Sequence, residues 1–266
     1  MVRWLVQTLG LFTPLVTIVG ILAGGWWTAS TLVLALGIYP ILDLLLGDSS
    51  KTDQLEESKT FDFIVHAHGI LVPIVIATLL YQAYFAYSSF IWLAAVSVGM
   101  SSGASGIITA HELGHRRPRS RSWWLSRLDL MCVLYLHFTV EHNHTHHKHW
   151  ARPIDPTSSP WKRNVYVHFI RTIPLQLMGA YRAKPKDFRY SMLIQLLLLV
   201  TLLIISPVLL GVFLLQALVA IFLLEFVNYL QHHGLVRGDD ERANASHAWE
   251  SRNRWSRWTL LELPLH

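Results

Sequence analysis

Long apolar segments constrain the fold of this chain more than any other feature. Several of them exceed the roughly 18 residues that mark a membrane-spanning segment. In lipid the backbone must satisfy its own hydrogen bonds, so such segments form helices. The sequence therefore predicts an all-α integral membrane protein with a single domain over residues 1–266. Its six predicted spans lie near residues 4–24, 26–47, 63–85, 88–110, 191–210 and 212–231.

Composition and local breaks support this prediction. Only 15% of the residues are charged, 52% are hydrophobic, and the mean hydropathy is +0.36. Gly24-Gly25 predicts a tight hairpin between the first two helices, and Ser206-Pro207 with Gly211 marks the break between the last two. The N-terminal run lacks a small-residue cleavage site and is interpreted as the first span. The single cysteine, Cys132, excludes an internal disulfide framework and a cluster of thiolate metal ligands.

Basic residues are concentrated in two segments of the chain. Residues 111–190 contain 14 of the 22 Lys and Arg residues, and residues 232–266 contain five more. With six spans both segments lie on the same side of the membrane, which the positive-inside rule makes cytoplasmic. The acidic loop 47–60 should lie there too, but acidic residues weigh little in this rule. We interpret the basic charge as a solvated face near anionic lipid, and we expect no nucleic-acid partner.

Histidines share this uneven distribution. Nine of the 15 lie between residues 111 and 168, and four lie between 232 and 266. In the sequence HELGH, His111 and His115 are four residues apart, so a helix that continues the fourth span presents both on one face. In EHNHTHH, His142 and His146 have the same spacing, and His147 follows about 100° around the helix.

A third group, His232 and His233 in NYLQHHGL, lies at the end of the sixth span, and His266 is the last residue. These imidazoles are too many for a structural zinc site, which closes with four ligands. A pair of metals accounts for them better, with iron, zinc and copper all possible. Nearby carboxylates would orient the imidazoles or bind metal directly, namely Glu112, Glu141, Asp155 and Glu225.

Four motifs in order resemble one known family. HELGH, EHNHTHH followed by ARPIDPTSS, NYLQHHGLVR and LELPLH are similar to the motifs of membrane-bound alkane 1-monooxygenases and xylene monooxygenases. That family belongs to the histidine-rich, desaturase-like di-iron proteins. The resemblance covers residues 111–266 by motif, and the preceding spans agree with the family's six-helix fold. It implies a bacterial inner-membrane enzyme with its metal site on the cytoplasmic side.

The resemblance also implies a cofactor, an activity and partners. Two iron ions would activate O2 and insert one oxygen atom into a C–H bond of an alkane-like substrate reached from the membrane lipid. Electrons would come from rubredoxin and rubredoxin reductase. Thr145, Gln231 and His233 depart from the family pattern of Gly, Glu and Tyr, and we expect His144 and His149 to have hydrogen-bonding or surface roles. The implied metal ligands are His111, His115, His142, His146, His147, His232 and His266.

The C-terminal LELPLH resembles the start of the family's fourth motif, with Leu263 three residues before His266. In the family two adjacent histidines follow after a short gap. We therefore expect the chain to continue past His266 in a longer reading frame.

Other interpretations explain fewer residues. HELGH alone also fits a zinc metalloprotease with Glu112 as general base, but this leaves the later histidines without a role. A metal transporter would carry ionisable residues at the centres of its spans, and these centres are nearly empty. His66 and His68 are interpreted as interfacial or bundle-facing residues. Desaturation and hydroxylation of aromatic methyl groups remain alternatives on the same metal centre.

Overall fold

The computed structural model describes residues 6, 8–48, 59–238 and 240–260. Within these ranges the chain is helical and forms no β-strand, so the all-α prediction is confirmed. Residues 138–149 form one composite helix, α6, which contains a π turn at His142–His146. The other helices are α1 Thr8–Ala23, α2 Gly25–Leu46, α3 Lys59–Phe85, α4 Ile91–Gly114, α5 Arg121–Cys132, α7 Val165–Ala183, α8 Pro185–Ile205, α9 Pro207–His232 and α10 Arg254–Thr259.

Helices α2, α3, α4, α8 and α9 are long and apolar enough to cross a membrane. They correspond to the second through sixth predicted spans. Helix α1 coincides with the first predicted span, but it is shorter than the roughly 20 residues that a crossing needs. Because residues 1–5 and 7 lie outside the described ranges, a total of six spans stays a prediction.

The predicted hairpin between α1 and α2 is present. Gly24 and Gly25 have φ angles of +70° and +53°, a region that favours glycine. The two helices then pack closely, and the Thr17 and Thr31 hydroxyl oxygens lie 2.8 Å apart in a buried hydrogen bond. The glycine pair therefore reverses the chain without a longer loop.

The break between the last two spans lies at Ser206 and not at Gly211 as the span limits 191–210 and 212–231 implied. Ser206 has an extended backbone, and its Oγ accepts a hydrogen bond from the Val208 N–H, which caps α9. Pro207 then occupies the first turn of α9, where its missing N–H costs nothing. Gly211 lies inside the helix, where a Cβ atom would come within 2.7 Å of the Trp92 ring. Gly211 therefore allows α9 to pack closely against the Trp92 ring.

Helices α4 and α9 cross with their backbones almost in contact. A Cβ atom at Gly99 would lie 2.5 Å from the Gln216 carbonyl oxygen, and one at Gly103 would lie 2.8 Å from the Ala220 Cα. Small residues allow such close approach in membrane helices. The crossing places the C-terminal ends of α4 and α9, with their histidines, on the same side of the bundle.

Helix α5 braces this end of the bundle. The Ser126 hydroxyl donates to the Ala110 carbonyl oxygen of α4 at 2.6 Å. Arg127 donates to the Leu136 carbonyl oxygen just before α6 and to the Ser191 hydroxyl of α8, both at 2.6 Å. These contacts hold α4, α6 and α8 in a fixed arrangement around the histidine motifs.

Candidate metal centre

The end of α4 carries the first two histidines. His111 and His115 lie one helical turn apart, and their Nε2 atoms are 2.8 Å apart. Buried Ala110, Leu113 and Gly114 anchor this turn in the protein. His111 and His115 therefore lie on the same face of the helix, as the spacing in HELGH predicted.

Helix α6 supplies His142 and His147 to the same group. The Nε2 of His142 lies 2.7 Å from that of His111, and the Nε2 of His147 lies 3.3 Å from that of His115. An α-helix would align residues four apart, as we expected for His142 and His146. The π turn at His142–His146 adds a residue to the turn, and it brings His147, five positions after His142, into the group.

These four histidines form a candidate metal site, in which one nitrogen of each lies within 4.8 Å of the others. Burial lowers the pKa of His115, of His142 and of His147, the last to about 4. A neutral imidazole has one N–H and one nitrogen lone pair, and the facing nitrogens of the four rings are Nε2 atoms. A metal ion between them would accept those lone pairs, so the residues fit a transition-metal site.

His146 and His232 form a neighbouring pair. Their ring centroids are 5.1 Å apart, and the His146 ring stacks on that of His142 at 5.0 Å. Both residues of the pair are buried. The first group and this pair are therefore contiguous, with His142 and His146 at their boundary.

Asp155 fixes the orientation of His146. Its Oδ2 lies 3.2 Å from the His146 Nδ1 and accepts hydrogen bonds from the hydroxyls of Thr157 and Ser158 at 2.7 Å each. Burial alone would raise the pKa of Asp155, but His146 and the hydroxyl donors outweigh it and lower the pKa to about 2. The ionised carboxylate holds the proton of His146 on Nδ1, which leaves Nε2 free of a proton for a metal.

The other three carboxylates have different surroundings. Glu112 accepts a hydrogen bond from Arg116 at 3.0 Å. Glu225 accepts hydrogen bonds from Tyr135 at 2.7 Å and from Gln176 at 3.0 Å. Glu141 is buried next to His142, and neither of its oxygens has a hydrogen-bond partner among the described residues.

The remaining histidines lie outside both groups. His144 Nδ1 faces the Val140 carbonyl oxygen at 3.1 Å, and His233 packs against Trp161 and Tyr229. His68 is buried in the bundle, where its Nδ1 lies 3.0 Å from the Thr109 hydroxyl. His66 Nε2 lies 2.8 Å from the Ser122 hydroxyl. His266, a predicted ligand, lies outside the described residues, as does Leu263.

Thr145, a departure from the family pattern, meets a glycine in the structure. A Cβ atom at Gly179 of α7 would lie 3.4 Å from the Thr145 Oγ1. Because Gly179 has no side chain, it leaves room for the Thr145 side chain, at a position where the family has glycine.

Sequence reasoning missed Arg237. Its guanidinium is buried and donates to the carbonyl oxygens of Trp150 at 3.1 Å and Lys148 at 3.2 Å, while its backbone N–H donates to the Ala151 carbonyl oxygen at 2.7 Å. Arg237 thus joins the segment after His232 to the end of α6. Its place directly after HHGLV was the only available signal.

A cavity of about 1110 Å³ opens beside the first histidine group. His115 and His147 form part of its wall, together with α5 and the start of α8. Its lining is mainly apolar, with a few basic side chains. Phe138, which does not line the cavity, stacks on the His142 ring with centroids 4.8 Å apart.

Known proteins resemble nearly the whole chain. The fatty acid desaturase family model matches residues 87–266. Alkane 1-monooxygenase 1 of Pseudomonas aeruginosa is 32% identical over 91% of this chain and 71% of that protein. Alkane 1-monooxygenase 1 of Alcanivorax borkumensis is 28% identical and alkane 1-monooxygenase of Pseudomonas putida 29% identical, each over 99% of this chain and 72% of the relative. This protein therefore belongs to the fatty acid desaturase family and is a membrane oxidoreductase of the alkane 1-monooxygenase type.

Proposed function

We propose that this protein is a non-haem di-iron monooxygenase that hydroxylates the terminal methyl group of alkanes or similar hydrophobic molecules. The observation that carries the proposal is the convergence of imidazoles from α4, α6 and α9 beside a mainly apolar cavity. The relatives named alkane 1-monooxygenases support the substrate class. One iron would be held by His111, His115, His142 and His147, and a second by His146 and His232, with further ligands such as His266.

The bound irons would supply O2 activation and electron transfer. The chain itself orients the ligands and shields one side of the site. Asp155 holds the Nδ1 proton of His146, and the low pKa of His147 keeps that imidazole neutral for metal binding. Phe138 covers one side of the His142 ring, and the buried side chains of Ile107 and Tyr135 pack with Phe138 in one apolar cluster. Phe138 and its neighbours therefore shield the His142 side of the site from water, whereas His115 and His147 are exposed.

Rubredoxin, reduced by rubredoxin reductase, is the proposed electron donor, and the bacterial inner membrane is the proposed location. The concentration of 19 of the 22 basic residues in residues 111–190 and 232–266 supports a cytoplasmic metal site, because basic loops stay in the cytoplasm. A reporter fused near Arg189 should show the cytoplasmic phenotype, and one fused near Gly25 the opposite. Matching phenotypes at the two positions would contradict this topology.

The structure disfavours a zinc protease. Its general base would be the Glu112 carboxylate, which must face a metal-bound water. Arg116 instead binds the Glu112 carboxylate at 3.0 Å, and Asp62 lies 3.4 Å from the same guanidinium. Four histidines beyond HELGH also lie in the two groups, and a protease would use only one of them, as its third zinc ligand.

The test is iron content together with product analysis. Purified protein given rubredoxin, its reductase, NADH and O2 should convert a medium-chain alkane to the primary alcohol. Alanine at His111, His142 or His232 should lower bound iron and abolish alcohol formation, whereas His149→Ala serves as a matched control from the same histidine-rich segment. Full iron content in the three ligand variants would overturn the assignment. Cleavage of peptides that depends on Glu112 and needs no O2 would replace the proposed activity.

A further inference from the structure

Helix α7 carries polar side chains on its inner face and apolar side chains on its outer face. His168, Thr172 and Gln176 are completely buried, whereas Tyr166 is 71% exposed and Ile170 is 75% exposed. A helix on the surface of a water-soluble protein has the opposite arrangement. The outer face of α7 therefore needs an apolar environment.

The exposed apolar residues of α7 form one stripe along the helix. With about 100° of rotation per residue, the stripe is about 120° wide. It comprises Tyr166, Val167, Ile170, Met178 and Tyr181, each at least 42% exposed. Arg171 and Arg182, both exposed, follow the stripe along one edge. This pattern is typical of a helix that lies in the membrane interface, with its apolar side chains in the acyl region and its arginines at the head groups.

The length and depth of α7 agree with such a position. The helix has 19 residues but is not apolar enough to cross a membrane. Its Phe169 ring packs on the Phe222 ring of α9, with centroids 4.9 Å apart. Phe222 lies about 15 Å along the axis from the end of α9 at His232, inside the apolar part of that helix. The outer stripe of α7 therefore reaches the level of the lipid on the histidine side of the bundle.

The positive charge around α7 has no acidic counterpart nearby in the sequence. Residues 156–183 contain four basic residues and no Asp or Glu. Burial, and secondarily the charge of Arg171, lowers the pKa of Arg163, so the two guanidinium groups lie near each other. The Tyr229 hydroxyl donates to the Arg163 carbonyl oxygen at 2.8 Å and ties this residue to α9. Within the part of the chain that the structure describes, neither arginine forms an ion pair.

We infer that the outer stripe of α7 lies in the membrane interface and that Arg163 and Arg171 bind the phosphate of an anionic phospholipid there. Guanidinium groups bind phosphate oxygens through charge-assisted hydrogen bonds. A second copy of this chain could cover the stripe, but its own α7 is equally basic and would leave the charges unneutralised. The inference goes beyond the proposed function, because it involves neither the metals nor the reaction.

The inner face of α7 connects this lipid contact to the helices that carry the histidines. A Cβ atom at Gly179 would lie 3.6 Å from the Glu141 Cγ of α6. The Gln176 side chain donates to the Glu225 carboxylate of α9 at 3.0 Å. A lipid that holds α7 in place therefore also supports the packing of α6 and α9.

Spin labelling tests the position of α7. The single cysteine, buried Cys132, is replaced by alanine, and a nitroxide is attached at Ile170→Cys or, as a control in an exposed loop, at Ser251→Cys. In liposomes, the label at position 170 should be relaxed more by oxygen, which concentrates in lipid, than by a water-soluble nickel chelate. The label at position 251 should show the reverse. Stronger relaxation by nickel at position 170 would overturn the inference, and so would dipolar broadening between position-170 labels of neighbouring molecules.

Lipid titration tests the two arginines. Purified protein in detergent is titrated with dioctanoyl phosphatidylglycerol or dioctanoyl phosphatidylcholine, and bound lipid is counted by native mass spectrometry. Arg163→Gln with Arg171→Gln should weaken phosphatidylglycerol binding by roughly 30-fold, because each basic residue near an anionic surface contributes about 1 kcal/mol and about 1.4 kcal/mol is a factor of ten. Phosphatidylcholine binding should not change. The matched control is Arg252→Gln, an exposed arginine outside α7.

Unchanged phosphatidylglycerol affinity in the double variant would overturn the arginine site, and so would an equal loss of affinity for both lipids. Thermal unfolding in nanodiscs provides the last measurement. Replacing half of the phosphatidylcholine with phosphatidylglycerol should raise the Tm of the wild-type protein by several degrees and that of the double variant by much less. An equal rise in both proteins would contradict the inference.

Discussion

The Nε2 atoms of His111 and His142 lie 2.7 Å apart, although the two residues belong to different helices. Two neutral imidazoles at this distance share at most one proton between their facing nitrogens. A metal ion bound here would take the place of that shared proton and would be held by nitrogens that only the folded chain brings together. Metal binding and folding are therefore coupled at this contact.

Removing metal should destabilise the wild-type protein. We expect a chelator to lower the Tm by several degrees, since a ligand that binds only the folded state stabilises it. His142→Ala should reduce this chelator effect sharply, because it removes a nitrogen from the first group. The measurement is thermal unfolding in detergent with and without chelator. A chelator effect that is unchanged in His142→Ala would contradict the prediction.

Asp155→Ala should weaken metal binding by about 10–100-fold, the usual effect of losing a partner that orients a metal-binding histidine. The loss follows because His146 Nδ1 would keep only the Thr157 hydroxyl, at 2.8 Å, as its partner in this motif. Iron titration of the purified variant measures it. The exposed Asp240→Ala provides the control, and equal affinities in the two variants would exclude the orienting role.

Arg237→Ala should lower the free energy of unfolding by about 2–4 kcal/mol, because charge-assisted hydrogen bonds to the Lys148 and Trp150 carbonyl oxygens are lost in a buried site. Arg237→Lys should recover only part of this stability, since one ammonium group cannot reproduce the geometry of the guanidinium. Denaturant unfolding in mixed micelles gives the values. Equal stability of the alanine variant and the wild-type protein would refute the role of Arg237.

Gly99→Ala should destabilise the protein by about 1–3 kcal/mol, because the added methyl group would press against the Gln216 carbonyl oxygen of α9. Gly37→Ala in α2 is the matched control, since a Cβ atom at that position has nothing within 4 Å. We expect it to be neutral or to stabilise by about 0.5–1 kcal/mol. Similar effects of the two changes would show that the α4–α9 crossing is not tightly packed.

Acidification should destabilise the protein through His137. Burial, and secondarily the charge of Arg127, lowers the pKa of His137 to about 3, whereas the unfolded value is about 6.5. Above pH 6.5 His137 is neutral in both the folded and the unfolded protein, so it does not change the free energy of unfolding. As the pH falls from about 6.5 toward 3, only the unfolded protein takes up a proton at His137, and the folded protein loses stability. The slope is at most about 1.4 kcal/mol per pH unit. His137→Phe should flatten the curve of unfolding free energy against pH over this range, and an unchanged slope would contradict the assignment.

The sequence predicted the helices because each is a long apolar run, and it predicted the α1–α2 hairpin from two adjacent glycines. It also predicted that His111 and His115 face the same way, since a regular helix sets their spacing. It did not predict the π turn, because a one-residue change in helical period leaves no mark in the pattern of apolar residues. His147 was among the ligands that the family resemblance implied, but its position next to His111, His115 and His142 depends on the π turn and came from the structure.

Long-range contacts were equally out of reach. Gly211 looked like a helix break, yet it makes room for the Trp92 ring of another helix. Arg237 resembled any other basic residue of a loop between helices, yet it binds backbone 89 positions away. In both cases a partner distant in sequence determines the role of the residue, and local patterns carry no record of such a partner.

The π turn at His142–His146 also determines which changes in chain length the protein can survive. Deleting one residue inside α6 would convert the π turn to ordinary α-helix and rotate everything after it by about 100°. The helix would persist, but His147 would leave the first group. A one-codon deletion here should therefore yield a folded, membrane-inserted protein that has lost its metal. We therefore expect the metal ligands, more than the fold, to limit the length of this helix.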